Sequence, residues 1–484
     1  MSKKIASALA LRLPSRCSAS LPATRATLAA GPCTAAARYF SSTPSASGST
    51  SDGKTALHDF HVAKGGKMVS FGGYSMPLWY SDATALASHH HVRNHAGLFD
   101  VGHMVQHFFS GPGALGFLQR LTPSSLSSLE PFSSTLSVLV NDAGGILDDT
   151  VVTRHEAERF YVVTNAGRRT EDLDWIKKQL EAWRAKGGAS VEHEILHDHG
   201  LLALQGPASA EVLSKHTSAD LAALTFGKST YATVAGVEGC HIARGGYTGE
   251  DGFEISVPSP AGTITVAEAL TATDPVQLAG LAPRDSLRLE AGMCLYGHDL
   301  DETVSPVEGG LAWVIGKDRR ESADFIGAQP ILDQLKNGPS RRRVGIISTG
   351  PPAREGTEIY DAEGKEKIGE FCSPCAWLPL PCRLTHSVLF PSQVPSLRVS
   401  LLPRSARMSP WATSATVTTR RTRRFSSRSV TRSSPHKLRG CLSCPTSSIA
   451  AKVRNHVVRE RKVTNQNFHR TREGIGYLQL KGCV

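Results

Sequence analysis

The chain has 484 residues, 40% of them apolar and 20% charged, with ten cysteines and a formal net charge of +11. That content suits roughly two to four domains with a sizeable buried core, and it excludes a fibrous, disulfide-framework or wholly disordered protein. No stretch approaches the roughly 18 uninterrupted apolar residues of a membrane span, so a membrane is not an expected partner.

The charge is unevenly placed. Residues 1–51 hold six Lys/Arg and no Asp/Glu, and residues 371–484 hold 20 against 2, which leaves 28 basic and 41 acidic residues in 52–370, a net −13. An acidic body has no broad attraction for phosphate backbones, so nucleic acid is not an expected partner either. Only Cys240 and Cys294 fall in that body, so disulfides do not organise it. Cys372/Cys375 and Cys441/Cys444 form two CxxC pairs about 65 residues apart, against the roughly 15–20 of a compact zinc module. No metal is expected.

In chain order, the leader 1–51 joins Lys3, Lys4, Arg12, Arg16, Arg25 and Arg38 to many Ser and Ala residues, with no acid before Asp52. This is the composition of an organellar transit peptide, and residues 38–42 (RYFSS) resemble a mitochondrial cleavage region. The expected location is the mitochondrial matrix. Between 57 and 370, short β-branched and apolar runs predict strands at 68–71, 105–109, 136–140, 151–153, 161–164, 201–204, 253–257 and 344–347. Helices are predicted near 112–121, 170–185, 208–215, 264–272 and 283–292. The pattern reads as α+β with antiparallel pairing, and neither a dinucleotide fold nor a phosphate loop is predicted.

Four segments look chemical. In 141–149 (NDAGGILDD) a glycine pair turns the chain between two strands, and alternation sends Asp148 and Asp149 to opposite faces, so at most one of them enters a given cavity. In 161–167 (YVVTNAG) a strand ends in Asn165, whose amide both donates and accepts. In 245–256 (GGYTGEDGFEIS) Glu250 and Asp251 read as solvated turn acids, while Glu254 lies inside a strand and on a half-exposed strand would face solvent. In 280–290 (GLAPRDSLRLE) Pro283 suits a first helical turn and Arg288 can pair with Asp285. Arg284 opposes the helix dipole there unless an anion or a buried carboxylate compensates it.

Together, and in this order, these segments resemble the aminomethyltransferases, the T proteins of the glycine cleavage system. Also supporting are 57–68 (LHDFHVAKGGKM), 97–104 (GLFDVGHM), 201–207 (LLALQGP), 281–300 (LAPRDSLRLEAGMCLYGHDL) and the run 303–313. The resemblance spans about 57–370. It implies an α+β, multi-domain folate-binding fold around a central cavity, ending in a small β-barrel. It further implies transfer of the one-carbon unit from the aminomethyl-lipoyl arm of the H protein to tetrahydrofolate, with release of ammonia. Carried over by motif, Asp149 is the catalytic carboxylate beside the reacting folate nitrogens, Met104, Val163 and Asn165 line the pterin pocket, and Glu254 and Arg284 contact the folate. Non-transferase relatives that assist iron–sulfur cluster assembly carry a Lys-Gly-Cys-Tyr-x-Gly-Gln-Glu element. Here residues 291–299 read AGMCLYGHD, the transferase form, and Cys294 reads as a buried structural thiol.

The expected division is a leader at 1–51, a folate-binding core of two subdomains at 52–325, the start of the barrel domain at 326–370, and an aberrant segment at 371–484. In that last segment the family's closing text is not readable. Shifting the reading frame over 405–450 permits a translation that restores it, including a Met-Pro-Phe stretch followed by aromatics. The expectation is therefore a reading-frame fault, with the barrel missing or scrambled.

Overall fold

The computed structural model describes residues 52–348, 355–360 and 366–373, together with the strands Leu384–Pro391, Leu397–Leu401, Ser414–Val417, Tyr477–Gln479 and Lys481–Gly482. All lie in one compact unit, Gly48–Val484. The expected leader and the cysteines 375, 441 and 444 lie outside the described residues, as does most of 371–484.

Two antiparallel sheets carry the middle of the chain. The five-stranded sheet runs Ser133–Val140, Ile146–Glu156, Arg159–Thr164, Val105–Ser110, Glu192–Ile195, every pair antiparallel. One of its faces is closed by the helices Ala114–Leu121 and Arg169–Ala185, which bury Phe117, Leu118, Leu121, Ile176 and Leu180 against Phe109, Val152, Phe160 and Val162. Glu171 and Asp172 in the first turn of the 17-residue helix suit its dipole.

The six-stranded sheet runs Ser229–Val234, Val237–Arg244, Gly252–Val257, Gly200–Gln205, Ala96–Asp100, Val276–Leu278, antiparallel except for its last pair. Alternation separates its two faces. Leu202, Leu204, Phe253 and Ile255 pack with Val266 and Leu270 of helix Pro260–Thr271. That helix starts on Ser259, whose hydroxyl accepts the Gly262 N–H at 3.1 Å, followed by Pro260. On the other face Phe99, Leu201 and Ala203 pack with Leu287 of helix Leu281–Ala291, and Met104 and Val163 lean against the same cluster. The site is built on this second face.

A third cluster places Leu300, Val304, Val307, Leu311 and Ile331 over Val138, Val140 and Ile146, so the segment after residue 300 buttresses the glycine turn. From Arg341–Ser348 onward the strands form one eight-stranded sheet, and among the described residues no pairing closes it into a barrel. No helix of the described residues is long and apolar enough to cross a membrane.

Every predicted strand and helix is present, within a few residues at each end. Others have no sequence forecast, among them helix Ala85–Asn94, whose three successive histidines hide its apolar stripe, and strand Ala96–Asp100, whose five buried residues show no alternation. One reading is incomplete. Gly111-Pro112-Gly113-Ala114-Leu115-Gly116 does carry the G-x-G-x-x-G spacing of a dinucleotide turn. It follows strand Val105–Ser110 of a wholly antiparallel sheet, without the parallel crossover that fingerprint needs, so a dinucleotide fold stays excluded.

The turn before Asp148 is fixed from both sides. Gly144 has φ +81°, and the Asn141 side chain accepts the N–H groups of Ala143 and Gly145 at 3.0 and 2.9 Å while donating to the Glu302 carbonyl at 3.1 Å. A Cβ built at Gly145 overlaps the Glu302 backbone carbonyl, which cannot swing aside as a side chain would. Gly145→Ala is expected to cost about 2–4 kcal/mol, read as a lowered urea midpoint. An unchanged midpoint would show that the Glu302 segment yields.

Candidate active site

Alternation on strand Ile146–Glu156 decides which acid goes where. Ile146, Asp148, Thr150 and Val152 are buried, while Leu147, Asp149 and Val151 are half-buried, so the two acids part as the sequence predicted. They are nevertheless joined by one residue. The Asn165 side-chain N–H groups donate to Asp148 Oδ1 at 2.9 Å, Asp149 Oδ1 at 3.0 Å and the Asp149 carbonyl at 3.1 Å. The Asn165 backbone N–H donates to Asp148 Oδ2 at 2.8 Å. Asn165 reaches both because it stands at the end of strand Arg159–Thr164, next to the acid-bearing strand.

The acids are held above their ordinary values. Burial, and then the charge of Asp148, push Asp149 up to about 7, with the Asn165 hydrogen bond and Arg288 opposing. Burial, and then the charge of Asp172, hold Asp148 well above the usual carboxylate range.

The six-stranded sheet supplies the opposite wall. Glu254 is the single half-buried residue of strand Gly252–Val257, and its register neighbours on both sides are alanines, Ala203 and Ala243. The strand lies inside the sheet, and Ala203 belongs to the cluster on which Met104 and Val163 pack, so Glu254 faces the interior cleft rather than bulk water. Burial raises its pKa and Arg284 opposes that.

Arg284, in the first turn of its helix, stacks over the Tyr247 ring at 4.6 Å from the centroid. Its Nη1 is buried and has no hydrogen-bond partner among the described residues. Burial lowers the Arg284 pKa, Tyr247 and then the field of Glu254 oppose that without an ion pair among the described residues, and one guanidinium nitrogen is left to a ligand oxygen. Tyr247 ties the two walls together: its phenol donates to the Cys294 carbonyl, and it feels the charges of Asp149, Arg284 and Arg288.

Arg288 pairs with Asp285 at 2.8 Å, as the spacing predicted, and also with the buried Asp299 at 2.6 Å. Two other readings are corrected. Glu250 and Asp251 are not free turn acids: Glu250 binds Arg93 at 2.8 Å and Asp251 binds Arg244 at 2.6 Å. Cys294 is half-buried rather than buried, although burial still pushes its thiol up to about 12, which leaves it a poor nucleophile.

The fold therefore gathers all six predicted residues, Met104, Asp149, Val163, Asn165, Glu254 and Arg284, as half-buried positions on otherwise buried elements. It adds others that the sequence did not single out. His103, buried between the rings of Phe71 and Tyr74, has Nδ1 without a partner, and burial brings its pKa down to about 4, so it is neutral. It sits in the 97–104 motif, which was its only signal. Asp172 had none, since an acid in a first helical turn is ordinary. A cavity of about 320 Å³ lies beside Asp172, lined by Leu147, Arg168, Asp172, Trp175 and Glu302 among others, and none of the six lines it. No cluster of metal-ligating side chains occurs among the described residues.

Comparison with known proteins follows the same residues. Residues 57–319 match the GCVT N-terminal domain. A probable mitochondrial aminomethyltransferase of Schizosaccharomyces pombe is 46% identical over 332 residues, which cover 68% of this chain and 84% of that one. The mitochondrial aminomethyltransferase of Homo sapiens is 47% identical over 322 residues, 66% of this chain and 79% of its own. The crystal structure of the glycine cleavage system aminomethyltransferase T from Bartonella henselae superposes with a TM-score of 0.65 at 35% identity, covering 73% of this chain and 94% of its own.

The raised Asp149 has a stability consequence. An acid whose pKa climbs from 3.8 unfolded to about 7 folded takes up a proton on folding between those values, so its contribution is favourable at low pH and is lost as pH rises through about 7. Asp149→Asn, which still accepts from Asn165, is expected to be more stable than the parent by on the order of 1–3 kcal/mol at pH 8, with the gap closing toward pH 4. Urea titrations at the two pH values test it, and a parent chain at least as stable at pH 8 would overturn it.

Proposed function

Because this chain belongs to the aminomethyltransferases, the T proteins of the glycine cleavage system, and so transfers a one-carbon unit to tetrahydrofolate with release of ammonia, we propose that Asp149 is its catalytic carboxylate and that Met104, Val163, Asn165, Glu254 and Arg284 hold the folate. The observation that carries this reading is the unpartnered, buried Nη1 of Arg284 in the field of Glu254, its guanidinium stacked on Tyr247, which also feels the half-buried Asp149.

Tetrahydrofolate, when bound, supplies the secondary amine that takes up the carbon. The residues suit it. A reduced pterin offers an edge of N–H donors, and Glu254 is an acceptor with alanines on either side, which leave room for a flat ring. Arg284 Nη1 is a donor awaiting an oxygen. Met104 and Val163 give apolar cover. Asn165 spends its N–H groups on the acids and keeps its carbonyl oxygen for a ligand N–H. An ionised Asp149 stabilises positive charge that develops at the reacting nitrogen and can accept its proton. The incoming carbon is already electrophilic, so the work left to the protein is positioning and charge stabilisation, and we propose no metal.

The H protein of the same system is the partner, and we infer that it presents its lipoylated arm. The chain is mitochondrial, and the acid-free leader supports the matrix. The iron–sulfur reading is not favoured, because residues 291–299 carry the transferase text. We also propose the division into a leader at 1–51, a core at 52–325, a barrel start at 326–370 and an aberrant 371–484, in which 371 to about 404 is retained non-coding sequence, 405–450 is barrel code read out of frame and 452–484 is translated trailing sequence. Sequencing the transcript tests this last point. An uninterrupted message for 371–484, matched by peptides from that region, would refute it.

Tetrahydrofolate-dependent ammonia release from aminomethylated H protein is the direct assay, for the full chain and for one with 405–450 in the alternative frame. Asp149→Asn is expected to lower kcat by about 10²–10⁴-fold, and Glu254→Gln to weaken folate uptake by about 10–100-fold in calorimetry. As Asp149 must be ionised, kcat/KM should rise with pH through about 7. Full turnover in Asp149→Asn would overturn the assignment.

A further inference from the structure

We propose that Asp172 is a positioning residue for the transfer: it and Asp148 hold one proton between them, and the charge left on that pair orients Asn165 and governs how readily Asp149 ionises. This role rests on the folate reading of the site.

Asp172 lies in the first turn of helix Arg169–Ala185 and is 1% exposed, and Asp148 is 0% exposed. Neither oxygen of Asp172 meets an N–H or O–H donor among the described residues. A buried carboxylate left so would be costly. Its neighbour within hydrogen-bonding reach is the Asp148 carboxyl. Two buried carboxyls in contact do not both ionise, so a single proton between them satisfies an oxygen of each. That proton belongs to the pair rather than to either member.

Two consequences reach the reaction. Asp148 receives the backbone N–H and the side-chain amide of Asn165 on its two oxygens. Reversing that amide would set its oxygen against three acceptors, Asp148 Oδ1, Asp149 Oδ1 and the Asp149 carbonyl, so Asn165 is locked with its own carbonyl turned away from the acids. The remaining negative charge also sits one residue from Asp149 and opposes its ionisation. Other charged or titratable groups face the trio. Arg168 and Glu171 lie beside Asp172, and Tyr296 beside Asp148. Arg288, Tyr247 and Cys294 lie toward Asp149. Glu302 is bound to Arg168 at 2.7 Å.

The test compares Asp172→Asn and Asp148→Asn in the full chain, following kcat/KM for ammonia release against pH. Asp172→Asn fixes the whole charge on Asp148, so the acid limb should move to higher pH by up to about one unit. Asp148→Asn leaves the charge on Asp172, farther from Asp149, so the limb should move to lower pH, and the loosened Asn165 should raise KM for tetrahydrofolate about tenfold. A merely structural role predicts no opposite movement, and limbs that stay put or move together overturn the proposal. Should either variant fail to fold, ¹³C-carboxyl NMR of the unaltered chain decides: an aspartate pair retaining one proton through pH 7 supports it, and two carboxyls both ionised at pH 6 overturn it. A parent chain that takes up no tetrahydrofolate in calorimetry overturns the folate reading itself, an outcome the NMR titration does not mimic.

Discussion

One amide holds the site together. Asn165 donates to two carboxylates that their own strand sends to opposite faces, and it thereby fixes an acid in the protein interior to an acid on the cleft. That link fixes where Asp149 sits, while burial and the charge of Asp148 raise its pKa against the pull of the Asn165 hydrogen bond. Buried among other acids, it titrates near neutrality, where a small change in surroundings alters its charge.

Such a concentration of negative charge needs a rigid frame. The frame is a set of ion pairs behind the cleft, in which Arg288 clamps Asp285 and Asp299 and a second guanidinium, Arg343, approaches Asp299 at 3.6 Å. Burial works against ionisation of Asp299, yet Arg343 and Arg288 hold it below the usual carboxylate value. The contrast with Asp149 is instructive. Both carboxyls are enclosed, but one has cations in contact and the other has an amide and a second acid, and the partners decide the sign of the shift.

The two sheets contribute unlike walls. The five-stranded sheet brings acid and amide on adjacent strands, while the six-stranded sheet brings Glu254 between two alanines and the helix that carries Arg284. Small residues beside Glu254 make space, and Tyr247 under Arg284 pins the cation where no ion pair with a carboxylate occurs among the described residues. The result is a cleft in which, among the described residues, Arg284 Nη1 and His103 Nδ1 have no partner and are available to a ligand.

Much of this was legible beforehand. Period-two alternation placed Asp148 and Asp149 on opposite faces, the glycine pair marked the turn, and i, i+3 spacing predicted the Asp285–Arg288 pair, because all three follow from local backbone geometry. The order of the motifs carried the family. What the chain order could not express was burial and distance between segments far apart. Whether Glu254 met water or a cleft depended on which strands flanked it, and whether Arg284 found an anion depended on a helix docking against a sheet. The partnership of Asp148 with Asp172, across 24 positions, exists only because a helix folds back over its own sheet. Electrostatic environment is set by neighbours in space, and those neighbours are decided by packing.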